Sequence, residues 1–114
     1  MTYRKAISRA NALRPNTFTD EQKFAWLAEL DAQIAGTLRV DVQPDPFPED
    51  AELWMPFPHD NVYVLYLVAM IDYYNQETNL YANDYQMYNA ALDEAKAWWN
   101  RNNRPPKNPN WSVM

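Results

Sequence analysis

Residues 62–71 of this chain read Val-Tyr-Val-Leu-Tyr-Leu-Val-Ala-Met-Ile, ten apolar or aromatic residues in succession. A helix that packs on a single neighbour needs polar residues on its remaining face, and this run has none before Asp72. The run therefore predicts a helix that is either surrounded by the rest of the fold or shared with other subunits. Its β-branched residues also permit a strand, but the pattern continues to Asn75 without a turn signal, which favours a helix.

Helical patterns flank this run on both sides. A tight connection at 76–79 leads to a helix from about 80 to 102, and the two helices are expected to form an antiparallel hairpin. Upstream, residues 2–13 form a helix capped by Thr2, and residues 19–22 match a capping box that opens a second helix. The second and fourth helices are expected to cover the central run. Their predicted buried residues are Phe24, Leu27, Leu30, Ile34 and Leu38, then Tyr81, Tyr85, Tyr88, Leu92, Ala95 and Trp99.

Single residues are expected to set the ends of these helices. Phe18 precedes the capping box as a hydrophobic staple. Gly36, the only glycine, is expected to loosen the last turn of the second helix. Asp60 is placed to cap the third helix or to favour the positive end of its dipole. Leu13 is expected to share the buried side of the first helix.

Two segments cannot be helical because prolines interrupt them. Residues 40–58 contain five prolines and five acids, and the apolar stretch 53–57 within them is expected to dock on the helices. Residues 104–114 form an extended arm. The predicted fold is therefore all-α: one helical domain, 1–103, that carries the long acidic loop 40–58 and ends in the arm. The acids assigned to solvent or to a partner in this loop are Asp41, Asp45, Glu49, Asp50 and Glu52.

Charge is distributed unevenly along the 114 residues, whose net charge is -5. The first 14 residues are basic, and no lysine or arginine occurs between residues 40 and 95. Opposite charges at separate places suit contacts between copies of one protein, although solvated surface charge is the more common explanation of such a pattern. The acidic middle argues against a general nucleic-acid binder.

The residue types needed for catalysis are scarce. Without cysteine, disulfides, thiolate metal sites and a cysteine nucleophile are excluded. The only histidine, His59, lies in a turn, and the only serines are Ser8 and Ser112 near the two ends. A single glycine rules out a phosphate-binding loop. The start of the chain lacks a signal-peptide core, and the apolar run is too short to span a bilayer. We expect a non-enzymatic protein with no cofactor, no metal and no membrane contact.

Aromatic residues are the abundant type, with eight tyrosines and five tryptophans. At helical spacing they serve as core, as subunit interface or, less often, as a ligand site. The four tyrosines of the third helix point to different sides, so some of them must face solvent or a partner. A tryptophan on a basic arm suits an anchor in a neighbouring protein. The predicted interface comprises Tyr63, Tyr66, Tyr73, Tyr74, Arg101, Arg104, Lys107 and Trp111.

The order of these residues resembles the small head–tail connector (adaptor) proteins of tailed bacteriophages and prophages. The resemblance spans about residues 5–104, with the acidic loop 41–52 outside it. In the first half it rests on Leu13-Arg14-Pro15-Asn16, Lys23, Trp26-Leu27, Leu30-Asp31 and Ile34. In the second half it rests on Pro58-His59-Asp60, Tyr63, Tyr66-Leu67, Ile71-Asp72-Tyr73-Tyr74-Asn75, Glu77, Tyr81, Asn83, Asn89-Ala90-Ala91 and Trp99-Asn100-Arg101.

This resemblance implies a mostly helical subunit that forms a ring beneath the portal protein and offers a docking surface to the next neck or tail protein. DNA is then only passing cargo. From the charge of the acidic loop alone, we expect an acidic channel lining that lets DNA slide. The implied location is the bacterial host cytoplasm during assembly and the virion neck afterwards. The alternative is a monomeric phage-encoded acidic binding protein that inhibits a host or competitor factor, presenting its acids as a DNA mimic.

Overall fold

The computed structural model describes residues 1–39 and 50–102, and within them the chain forms four helices. They are α1 (Tyr3–Leu13), α2 (Asp20–Thr37), α3 (Asn61–Tyr74) and α4 (Thr78–Asn102). The predicted all-α class is confirmed. Of the predicted sites, Asp41, Asp45, Glu49 and the whole arm 104–114 lie outside the described residues.

The apolar run forms α3, most of which is buried by the other described helices. α3 packs against α1, α2 and α4, and its buried residues are Val62, Tyr63, Val64, Leu67, Val68, Ala69, Ile71 and Asp72. Consecutive buried residues cover more than one side of a helix, since successive side chains are about 100° apart. α1 supplies Tyr3, Ala6, Ile7 and Ala10 to this core, in addition to the cover that the sequence predicted from the second and fourth helices. Leu13, the last residue of α1, is exposed instead of buried.

Side chains cap the first two helices as predicted. The Thr2 hydroxyl accepts from the Lys5 amide at 3.1 Å. In the capping box of α2, the Gln22 amide donates to Thr19 Oγ1 at 3.2 Å and the Thr19 amide donates to Gln22 Oε1 at 3.0 Å. These bonds satisfy amide groups that the first turn of a helix leaves unpaired.

Two other residues that were expected to set helix ends, Asp60 and Phe18, make different contacts from those predicted. Asp60 makes no capping hydrogen bond, because its backbone is already helical (φ -69°, ψ -12°), whereas a capping residue is extended. Its carboxylate instead lies 3.4 Å from the Met1 amino group. Phe18 packs on the rings of Trp26 and Tyr74. The fourth residue of α2 is Lys23, whose ammonium group donates to Asn11 Oδ1 at 2.8 Å.

After both α2 and α3, the second residue beyond the helix has a left-handed backbone although it is not glycine. Arg39 (φ 58°) follows α2 and Gln76 (φ 60°) follows α3. The Gln76 amide donates to the Tyr73 carbonyl at 3.1 Å and the next amide donates to the Asp72 carbonyl at 2.9 Å, the pair of bonds that closes a Schellman motif. Gly36 lies inside α2, and a Cβ there would meet nothing within 4 Å.

The segment after the acidic loop returns along the start of α1. The Tyr3 amide donates to the Ala51 carbonyl at 3.2 Å, and the Leu53 amide donates to the Met1 carbonyl at 2.9 Å. Leu53 and Met55 are buried in the core, which confirms that this stretch docks on the helices. Phe57, at its end, is 83% exposed and does not take part.

The predicted apolar face of α4 is only partly buried, even where α4 lies beside α3. On the predicted face, Tyr88 and Ala95 are buried, Tyr81, Leu92 and Trp99 are half-buried, and Tyr85 is exposed. The hairpin therefore presents aromatic rings that its own partner helix does not cover.

Candidate interaction surface

Tyrosine rings form a continuous series along the α3–α4 hairpin. Each ring centroid lies within 5.5 Å of the next, inside the range of favourable aromatic pairs. We call this series the aromatic ladder. Its members, in order, are Tyr74, Tyr73, Tyr81, Tyr85, Tyr88 and Tyr66. Phe18 and Trp26 pack on the ring of Tyr74 from the α2 side.

Helical spacing produces the ladder. On α4, Tyr81, Tyr85 and Tyr88 are four and three residues apart, which places them on one face. Tyr88 is buried against Tyr66, with ring centroids 5.1 Å apart. At the other end Tyr73 and Tyr74 are 54% and 50% exposed. One end of the ladder therefore belongs to the core and the other faces solvent.

The exposed end of the ladder borders an open pocket at the α3–α4 turn. Its volume is about 540 Å³, and we call it the hairpin pocket. The Schellman motif at Gln76 shapes this turn, because the left-handed residue reverses the chain directly beneath the tyrosines. The residues that line it are Asp72, Tyr73, Tyr74, Gln76, Glu77, Thr78 and Tyr81. Three tyrosine rings and the exposed side chain of Glu77 thus border one concave site.

A buried ionic cluster lies behind the hairpin pocket. Arg14 Nε is 2.9 Å from Asp72 Oδ1, and Arg14 Nη2 is 2.7 Å from Asp84 Oδ2. Asp72 is 0% exposed, so Arg14 is its cationic partner within the fold. Burial, aided by the neighbouring Asp84, raises the pKa of Asp72 to about 7, although the charge of Arg14 opposes the shift. The Asp72 carboxyl group therefore belongs to the interior behind the pocket and not to its open surface.

Tyr63 lies in the core and is not available to a partner, so its assignment to an interface is wrong. Its hydroxyl donates to Asp31 Oδ1 at 2.6 Å and accepts from the Met55 amide at 2.8 Å. Asp31 also accepts from the Trp54 amide at 3.2 Å. Burial raises the pKa of Asp31, and burial together with the Asp31 charge raises the pKa of Tyr63. These bonds attach the returning segment to α2 and α3.

The other predicted interface residues on the helices fall into two groups. Tyr73 and Tyr74 lie together at the hairpin pocket, and Tyr66 is half-buried at the inner end of the ladder. Arg101 is exposed in the last turn of α4, at the opposite end of that helix from the pocket. Arg104, Lys107 and Trp111 lie outside the described residues.

Two predicted loop acids contact the start of the chain. Asp50 Oδ1 is 3.3 Å from Arg4 Nε, and Glu52 Oε2 is 3.0 Å from the Met1 amino group. Both carboxylates remain largely exposed to solvent, where such pairs contribute little to stability. The acidic loop thus rejoins the fold beside the basic N-terminal segment, and its role in a channel or with a partner stays a prediction.

A second aromatic cluster surrounds His59. Its ring centroid lies 4.8 Å from that of Trp98, and Trp54 packs edge-on against Trp99 at 4.7 Å. His59, just before α3, therefore packs against the indole of Trp98 on α4.

Within residues 1–39 and 50–102, no group of three His, Cys, Asp or Glu residues is arranged to hold a metal ion. Over the same ranges, no helix has both the length and the apolar character to cross a membrane.

Sequence reasoning missed the cluster of Arg14, Asp72 and Asp84, which are far apart along the chain. One signal was present, since Asp72 directly continues an apolar run on a helix with no polar face, and a carboxylate there needs a cationic partner.

Comparison of the chain with protein families, with curated proteins and with solved structures finds no match in any of the three.

Proposed function

We propose that this protein is a non-enzymatic head–tail connector subunit of a tailed phage or prophage. It forms a ring under the portal protein and links the DNA-filled head to the tail. The observation that carries this proposal is the exposed end of the aromatic ladder, where Tyr73, Tyr74 and Tyr81 stand together on a helical hairpin. The sequence resemblance supplies the class of assembly.

Exposed contiguous aromatic residues are typical of surfaces that bind other proteins. Tyrosine is enriched in protein interfaces, and monomeric proteins rarely leave large apolar patches uncovered. Tyr73 and Tyr74 belong to α3, whose remaining length is in the core, so their backbone is held in place before any partner arrives. Such preorganisation lowers the entropic cost of binding.

Buried polar contacts unite the two halves of the chain on which the resemblance rests. Arg14 from the first half contacts Asp72 in the second at 2.9 Å. Asp31 from the first half accepts a hydrogen bond from Tyr63 in the second at 2.6 Å. Both halves therefore belong to one packed unit, as a single connector subunit requires.

The proposed partners are further copies of this chain in the ring, the portal protein, and the next neck or tail protein. DNA passes through the ring as cargo. The subunit works in the bacterial host cytoplasm during assembly and in the virion neck afterwards.

Co-expression with the portal protein of the same genome tests the proposal. Size-exclusion chromatography with light scattering, followed by electron microscopy, is expected to show a ring of this chain on the portal. Replacing Tyr73 and Tyr74 by serine is expected to reduce ring formation, whereas Phe57→Ser, which removes an aromatic residue of even greater exposure, leaves it intact. A chain that stays monomeric beside an assembled portal contradicts the proposal and favours the monomeric inhibitor.

A further inference from the structure

We propose that residues 104–114 of a second copy of this chain dock in the hairpin pocket and on the exposed end of the aromatic ladder. The inference rests on the proposed function to the extent that it names how neighbouring subunits contact one another. The hairpin pocket is an open surface on the described helices. Residues 104–114 have side chains whose chemistry matches that surface.

The hairpin pocket has the chemistry of a site for proline-rich, basic peptides. Tyr73, Tyr74 and Tyr81 supply ring faces, and grooves lined by aromatic side chains bind extended proline-rich segments in several domain families. Glu77 is exposed and supplies negative charge, and no lysine or arginine is among the described residues that line the pocket. An incoming cationic group therefore meets a carboxylate and three ring faces with no competing basic side chain in the lining.

The C-terminal segment supplies the matching groups. It reads Arg104-Pro105-Pro106-Lys107-Asn108-Pro109-Asn110-Trp111, in which Pro106 and Pro109 have the spacing that an extended polyproline helix presents on one side. No Asp or Glu follows Glu94 in the sequence. Its cations therefore complement the Glu77 carboxylate, and a guanidinium or ammonium group also binds the face of a tyrosine ring.

Distance along α4 requires the segment to come from another copy. Tyr81 borders the pocket and Asn102 ends the same helix. Asn102 lies 21 residues after Tyr81, which at a rise of 1.5 Å per residue places it about 32 Å away. Pro109 lies seven residues beyond Asn102, and a fully extended chain of that length reaches at most about 25 Å. The Pro106–Pro109 pair therefore cannot reach the pocket of its own chain, and the contact links one subunit to the next.

A labelled peptide of residues 103–114 tests the contact directly. Fluorescence anisotropy with the full-length protein is expected to show saturable binding that weakens as salt rises, because charged groups contribute. Tyr73→Ala combined with Tyr74→Ala is expected to weaken binding by about tenfold or more, the effect of losing central aromatic contacts. Phe57→Ala is the matched control and is expected to bind like the parent protein. Circular dichroism verifies that each variant retains its helices.

A charge exchange provides a second variant that does not depend on the tyrosines. Glu77 is an exposed residue at the α3–α4 turn. The substitution Glu77→Lys is expected to weaken binding of the parent peptide severalfold. A peptide that carries Arg104→Glu and Lys107→Glu is expected to bind Glu77→Lys better than it binds the parent protein. Saturable binding that is indifferent to both sets of variants, or no saturable binding at all, overturns the inference.

The outcomes separate this inference from the proposed function, because the peptide experiment contains no portal protein. If the peptide binds in the hairpin pocket but the chain never joins a portal, the inference stands and the proposed function fails. If the peptide does not bind, while the Tyr73 and Tyr74 variant loses the portal complex, the surface belongs to the portal. That result overturns the inference and leaves the proposed function in place.

Discussion

Arg14 at the end of α1 lies 2.9 Å from the carboxylate of Asp72 near the end of α3, and this carboxylate is completely buried. The same guanidinium reaches Asp84 on α4 at 2.7 Å. One side chain thus connects three helices, and it does so directly behind the hairpin pocket. The stability of the fold and the shape of the candidate interaction surface therefore depend on the same contact.

Arg14→Met is expected to destabilise the protein strongly. It leaves Asp72 buried without a cation, and breaking a buried pair costs roughly 3–5 kcal/mol, with the lower value expected because Arg14 is partly exposed. Urea unfolding followed by circular dichroism measures the loss. Arg9→Met, the same change at an exposed position of α1, is the control and is expected to stay within about 0.5 kcal/mol of the parent protein. Equal effects of the two changes contradict a special role for Arg14.

The stability of the folded chain is expected to fall between about pH 4 and pH 7 through Asp72. Its pKa is about 7 when folded and about 3.9 in an unfolded chain. The folded state therefore holds a proton that the unfolded state releases, so this contribution is complete below about pH 4 and is lost as pH rises through 7. Asp84 and Glu77 raise this pKa and Arg14 lowers it.

Unfolding of the parent protein and of Asp72→Asn across this pH range measures the effect. The difference in the free energy of unfolding is expected to move in favour of Asp72→Asn as pH rises. Asp84→Asn is expected to shift the window to lower pH, because Asp84 helps to raise the pKa of Asp72. Parallel stability curves for the parent and Asp72→Asn contradict the titration of Asp72.

Tyr63→Phe is expected to cost about 1–3 kcal/mol, the usual effect of leaving a buried hydrogen-bonding group unpaired. The change removes the donor to Asp31 at 2.6 Å and the acceptor for the Met55 amide at 2.8 Å. Thermal and urea unfolding both report it. Tyr73→Phe removes a hydroxyl from a ring that is half in solvent and is expected to leave stability unchanged. If Tyr63→Phe is equally neutral, its hydrogen bonds contribute no net stability.

Gln76→Gly is expected to stabilise the protein by up to about 1 kcal/mol. A left-handed backbone costs an ordinary residue about 1–2 kcal/mol, and glycine avoids that cost but loses about 0.5–1 kcal/mol in chain entropy. Gln76→Val is the opposing control, because a β-branched side chain tolerates φ 60° least. A rise in unfolding temperature for glycine and a fall for valine are expected; the reverse order contradicts the assigned strain.

Gly36→Ala is expected to stabilise α2 by about 0.5–1 kcal/mol, the difference between the two residues within a helix. The position is exposed, and an added Cβ meets nothing within 4 Å. Differential scanning calorimetry measures the gain. A loss of stability shows that the glycine is needed for close approach of another group.

Local sequence signals predicted the helices well because those signals act between neighbouring residues. The Thr19 capping box, the Thr2 cap and the apolar run 62–71 each depend on side chains within a few positions of one another. The sequence also predicted that some of the four tyrosines of α3 face outward, and Tyr73 and Tyr74 are the exposed ones.

Contacts between distant residues were decided only by the tertiary structure. Tyr63 and Tyr73 are both tyrosines of α3, and their spacing does not reveal that one bonds to Asp31 in the core while the other lines the hairpin pocket. Arg14 and Asp72 were each visible as charged residues, but their pairing depends on how α1 crosses α3. The sequence alone determined which segments are helical and that one of them is apolar all round. Packing decided which polar groups are buried beside that apolar helix, because desolvation and pairing of polar groups depend on the positions of all four helices.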